Sequence, residues 1–126
     1  MSTRIYAAAL LLVTLPLASF ASDRNDAELA MTQANTAVES AERADAAQFA
    51  SADLGTAHDM LASAQGAYDH RDWTIAIIDA ENAKADADLA AARSRQIRAE
   101  EATAEVERSV RSLREQLGIS NTGDRP

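Results

Sequence analysis

Two histidines, scattered carboxylates and no cysteine are this chain's raw material for chemistry. Zinc takes three or four converging ligands, mostly cysteine and histidine. His58 stands beside Asp59, and His70 lies between Asp69 and Asp72. The group Asp69-His70-Asp72 is also the composition of a turn leading into a helix N-cap, so no metal site is expected. General acid–base work needs two carboxylates in a pocket that drives their pKa values apart. Asp86 and Asp88, two residues apart on a helix, do not share a face. The serines lack a His–Asp relay, and Gly55, Gly66, Gly118 and Gly123 are too scattered for a phosphate loop. Missing cysteine removes disulfides and thiol catalysis as well. The expectation is a non-enzyme with no catalytic, cofactor-binding or metal-binding residues.

The elements begin with a leader. Arg4 gives a positive start, and Ala7 to Ala18 form an apolar run broken only by Thr14 and Pro16. Ser19-Phe20-Ala21 then places small residues where a signal peptidase reads. The run is too short for a bilayer, which takes ~20 residues. Residues 1–21 are therefore expected to be a signal peptide cleaved after Ala21, leaving the chain in the periplasm. Leu17-Ala18-Ser19 would open a lipoprotein box if cysteine followed, but Phe20 stands there, so no lipid anchor is expected.

The net charge is −8, and loss of Arg4 with the leader takes it to −9. That sign argues against nucleic acid and against unaided binding to anionic lipid. Alanine supplies 25 of the 105 residues after the leader, whereas Leu, Ile, Val and Phe together supply 15. The latter share, about 14%, falls below the ~20% that warns of disorder in charged chains. Helix propensity pulls the other way, since alanine heads the scale and Pro126 is the only proline after the leader. The reading is an all-α, thinly cored domain over 22–118, followed by a flexible tail at 119–126.

Three helices are predicted. The first opens with Asn25 and Glu28 in capping-box spacing and ends near Ala46. Its apolar stripe is Ala27, Ala30, Met31, Ala34, Val38 and Ala41. Gln48-Phe49-Ala50 connects to a second helix over Ala52–Tyr68, capped by Ser51, with Asp53 in its first turn. Its packed side is Leu54, Ala57, Leu61, Ala64 and Tyr68. After a turn at Asp69-His70-Arg71, Asp72 caps a third helix that runs from Trp73 to Leu117 without Gly or Pro. Gly118 stops it. Short loops make such helices antiparallel neighbours, which predicts a three-helix hairpin or bundle with an over-long third helix. Only the first half of that helix, to about Ala92, can pack, through Trp73, Ala76, Ala80, Ala83, Ala87 and Ala90. Trp73 is expected to plug the bundle end near Phe49 or Tyr68.

The surplus, about 93–117, carries its own stripe: Ala99, Ala102, Val106, Val110, Leu113 and Leu117. An isolated helix gains little from such a stripe, so coiled-coil pairing is the expectation. Its charges come in blocks: Arg93, Arg95 and Arg98, then Glu100, Glu101, Glu105 and Glu107, then Arg108, Arg111 and Arg114. The blocks match in an antiparallel homodimer over 93–117 centred between Glu107 and Arg108, where Glu101 faces Arg114. Candidate partner-binding residues are Val106, Val110, Leu113 and Leu117 with Arg108, Arg111 and Arg114. A solvated helix with local pairs such as Glu107–Arg111 is the competing reading.

Asp72-Trp73-Thr74-Ile75-Ala76-Ile77, with Ala80 and Ala83, resembles the second helix of a tetratricopeptide repeat. Ser63 and Ala67 stand where that repeat's first helix has leucine and tyrosine, and only one such unit is present. A wider likeness is carried by Ala41-Glu42-Arg43-Ala44-Asp45-Ala46-Ala47-Gln48-Phe49-Ala50, then Leu54, Ala57, Asp72-Trp73 and Ala76. Over about Ala27 to Arg95 the chain resembles the domain of unknown function 4398 family. That resemblance implies an exported, alanine-rich helical envelope protein. Many members are lipoproteins, and some are joined to peptidoglycan-binding domains like that of outer membrane protein A. Ser51 replaces the family's usual proline, and Phe20 replaces the lipoprotein cysteine. The functional expectation is a periplasmic interaction protein that pairs with an envelope protein or with itself. The alternative is a small holdase for envelope clients, disfavoured by the acidic charge and the few large apolar residues.

Overall fold

The computed structural model describes residues 18–118, so most of the expected leader and the 119–126 tail lie outside the described residues. Within them the chain is all helical: α1 (Ala18–Arg43), α2 (Ala46–Phe49), α3 (Ser51–Asp69) and α4 (Trp73–Gln116). The predicted break between the first two helices thus holds a short helix of its own. α1 ends at Arg43, and Asp45 adopts a left-handed conformation (φ 64°) that turns the chain into α2.

Two expected caps are not used. Between Ala18 and Asn25 neither Gly nor Pro interrupts helix formation, so α1 is already helical at Ala18 and runs through the expected cleavage point at Ala21–Ser22. Asn25 is consequently inside the helix, and Glu28 is engaged elsewhere. Ser51 is already the first residue of α3, so the cap position falls to Ala50, which has no side-chain acceptor to offer. Asp72, in contrast, accepts from the Ile75 amide at 3.5 Å, and α4 ends beside Gly118 at φ +65°.

All but two of the buried apolar residues are alanines, the exceptions being Val38 and Leu54. Ala34, Ala41, Ala57, Ala64, Ala76, Ala80, Ala83, Ala87 and Ala90 are completely buried. Side chains this small let helix backbones approach closely, and alanine loses no rotamer freedom on burial. α1 and α3 both pack on α4. Polar pairs mark which levels meet. Glu28 reaches Tyr68, Glu42 reaches His58, Ser63 reaches Asp79 and Arg93 reaches Asp53.

Candidate partner-binding surface

The site is defined by where α4 leaves its neighbours. Ser94 is fully buried and donates to the Ala44 carbonyl at the end of α1. Arg93 grips both carboxylate oxygens of Asp53, at 2.7 and 2.6 Å, and Arg98 reaches Asp45 at 3.0 Å. These three contacts close one end of the bundle, and from Arg98 to Leu117 every residue is exposed. Packing therefore continues one turn past the Ala92 limit read from the sequence. The sign of that extra turn is the spacing Ala87, Ala90, Ser94, which simply continues the alanine seam with a serine.

The free segment from Ala99 to Leu117 is about 28 Å long at ~1.5 Å per residue. Val106, Val110, Leu113 and Leu117 remain 61%, 39%, 56% and 70% exposed. No other described helix touches them, so their apolar surface gains nothing from the bundle. At ~100° per residue, Ala99, Ala102, Val106, Val110, Leu113 and Leu117 fall within one narrow arc. The same geometry separates the three arginines. Arg114 borders the stripe, whereas Arg108 and Arg111 lie round toward the opposite side, where the Arg108 Nε bonds the Ala104 carbonyl at 3.2 Å. The depressions along this segment are gaps between turns of a single helix. One is lined by Gln96, Ala99, Thr103 and Glu107, another by Glu105, Arg108, Ser112 and Leu113.

The opposite end of the bundle holds a polar cluster that spacing alone did not reveal. The Tyr68 hydroxyl donates to Glu28 Oε1 at 2.5 Å, and Arg24 Nε lies 3.2 Å from both groups. The Tyr68 hydrogen bond holds the Glu28 carboxyl below its ordinary value against the opposing effect of desolvation, with Arg24 adding to the lowering. Tyr68 and then Glu28 push Arg24 up from its usual value. Trp73 packs edge-on to Tyr68, with ring centroids 5.1 Å apart and planes at 69°. The plug residue thus meets Tyr68; Phe49 is at the far end with α2. Of the residues weighed as metal ligands, Asp72 is occupied as a cap and Asp69 accepts from Gln65 at 2.9 Å. His58 sits 3.3 Å from Glu42.

Fold and surface together define an all-helical protein whose longest helix runs well past its own packed body. Residues 29–106 match the family model described as Domain of unknown function (DUF4398), and the chain belongs to that family. The match takes in most of the packed body and the first part of the free helix, ending at Val106. Comparison with curated proteins and with solved structures gave no match.

Proposed function

We propose that this protein is a non-enzymatic scaffold of the cell envelope, exported to the periplasm. It holds an antiparallel three-helix bundle and presents the free end of α4 for coiled-coil pairing. One observation carries the reading: an apolar stripe of Val106, Val110, Leu113 and Leu117 on a helix segment with no packing partner among the described residues. Burying such side chains yields ~25 cal/mol per Å², and the arc is wide enough for one helix. Leu29, Ile75, Ile78 and Leu89 are also exposed, but only Ile75 and Ile78 are neighbours, one turn apart on α4, and a pair makes no broad surface of the kind a holdase presents to unfolded clients.

The test is a photo-cross-linking residue at Ser109, beside the stripe, in cells. The expected result is one discrete cross-linked species from the periplasmic fraction, lost when Leu113 is changed to Lys. A probe at Ser109 that captures nothing, or the same diffuse set with and without Leu113→Lys, refutes the scaffold. Amino-terminal sequencing of the periplasmic protein tests export, with Ser22 expected first.

A further inference from the structure

The free end of α4 carries a further inference that rests on the reading just given. We propose that its partner is a second copy of this chain, paired antiparallel through Ala99–Leu117 with the two-fold axis at Arg108. The first argument is rotational. Around α4, Ala76, Ala80, Ala83, Ala87, Ala90, Ala91 and Ser94 define the buried face. At ~100° per residue the stripe of the free segment is centred about 120° away from that face. It is therefore no continuation of the bundle seam. A helix docking on it meets α4 on a different face from the one that α1 and α3 chiefly cover.

The second argument is register. Arg108 is the midpoint of Ala99 and Leu117, and reversing the segment about it maps the stripe largely onto itself. Ala99 meets the partner's Leu117 and Val106 meets the partner's Val110, which accounts for four of the six stripe positions; Leu113 meets the partner's Thr103 and Ala102 the stem of its Arg114. The two valines at the centre and the Ala99–Leu117 pair at each end form apolar layers between the helices. The third is charge. Arg114 borders the stripe and Glu100 lies farther round the same flank; in this register Glu100 stands opposite the partner's Gln116, two residues from its Arg114 and within reach of that long side chain, twice by symmetry. Glu107 meets its own copy at the axis, with Arg111 one turn along the same helix to offset it. The axis differs by half a residue from the one read off the charge blocks, because Glu101 and Arg108 face away from the stripe.

Sedimentation equilibrium of the purified full chain is expected to give a dimer that Leu113→Lys converts to monomer without altering Trp73 emission. Glu100→Arg and Arg114→Glu each replace two attractions by two repulsions and are expected to weaken dimerisation on the order of tenfold. The double reversal restores it. Orientation is read from disulfides, since the chain has no cysteine of its own. Mixed Ala99→Cys and Leu117→Cys chains are expected to cross-link with each other and not with themselves. Cross-linking of each with itself alone indicates parallel pairing and overturns the proposal, as does a monomer at every concentration. Capture of a different polypeptide from Ser109 by a monomeric chain would end the dimer and leave the scaffold reading intact. Capture of nothing would end both.

Discussion

Ser94→Ala probes the contact that fixes where the bundle stops. Ser94 is the one polar residue fully buried in the described structure, and its hydroxyl is bonded to the Ala44 carbonyl. Ala44 is itself buried, at 7% exposure, so water does not readily replace the lost donor. Leaving a buried carbonyl without its partner costs ~1–3 kcal/mol. Alanine is the better helix former by up to about 0.5 kcal/mol, which offsets part of that. A central loss of ~1.5 kcal/mol corresponds to a fall in melting temperature of about 6–12 °C for a domain this size. The assay is thermal unfolding by far-ultraviolet circular dichroism at one fixed protein concentration, with Ser109→Ala alongside. Ser109 is exposed on the free helix, and its replacement should stay within ~0.5 kcal/mol of wild type. A Ser94→Ala chain that melts with or above wild type would show that the hydroxyl does not close the bundle.

Three other perturbations separate the remaining contributions. Gly55 and Gly66 are interior to α3, and a Cβ built at either meets nothing within 4 Å. Gly55→Ala and Gly66→Ala should each stabilise by ~0.5–1 kcal/mol through lower unfolded-chain entropy, seen as a raised melting temperature; a lowered one contradicts the packing. Asp53→Asn weakens the Arg93 pair and removes a favourable charge from the first turn of α3. With Arg93 56% exposed, the loss should be about 1 kcal/mol and shrink as salt is raised; a loss unchanged by salt counts against an electrostatic origin. Glu28 has a depressed pKa in the folded chain, so its contribution is present above its ordinary value of 4.5 and disappears as pH falls through the folded one. Tyr68→Phe should raise the Glu28 titration midpoint measured by NMR and flatten this acid-side loss, and an unmoved midpoint rejects the Tyr68 contact as its cause.

Helix identity was legible because it depends on residue types that recur every three or four positions. Ala76, Ala80, Ala83, Ala87 and Ala90 were each assigned to the buried face from spacing alone, and all five are fully buried. The exposed positions Val106, Val110, Leu113 and Leu117 were equally visible as a separate stripe. Helix ends were less so. Asn25 with Glu28 has the composition of a capping box, yet the stretch from Ala18 to Arg24 is as helix-compatible as the chain after it, and composition does not say where a continuous helix starts. The left-handed Asp45 and the start of α2 sit against Ser94 and Arg98, some fifty residues away, through the Ala44 carbonyl and the Asp45 carboxylate. The same holds for the Arg24–Glu28–Tyr68 cluster, whose members become neighbours only when α1 packs on α3.

A seam made almost entirely of alanine raises a problem of uniqueness that the polar contacts resolve. Large and small side chains in alternation fit together in one register. Alanine against alanine fits nearly as well after a slide of one heptad, because each layer presents the same shape. The directional contacts of this protein sit at both ends and in the middle of the packed body: Tyr68 with Glu28, Ser63 with Asp79, and Arg93 with Asp53 beside Ser94 with Ala44. Most are exposed, so each contributes little to stability on its own. A slide of α4 by one turn breaks those it makes, and it exposes the Ala44 carbonyl's need for Ser94. They therefore act chiefly to select one alignment among several of similar hydrophobic energy. That alignment determines how much of α4 extends past the bundle, and so it sets the length and phase of the stripe offered to a partner. The small polar contacts and the exposed apolar helix are in this sense parts of one device, with register in the body controlling reach at the tip.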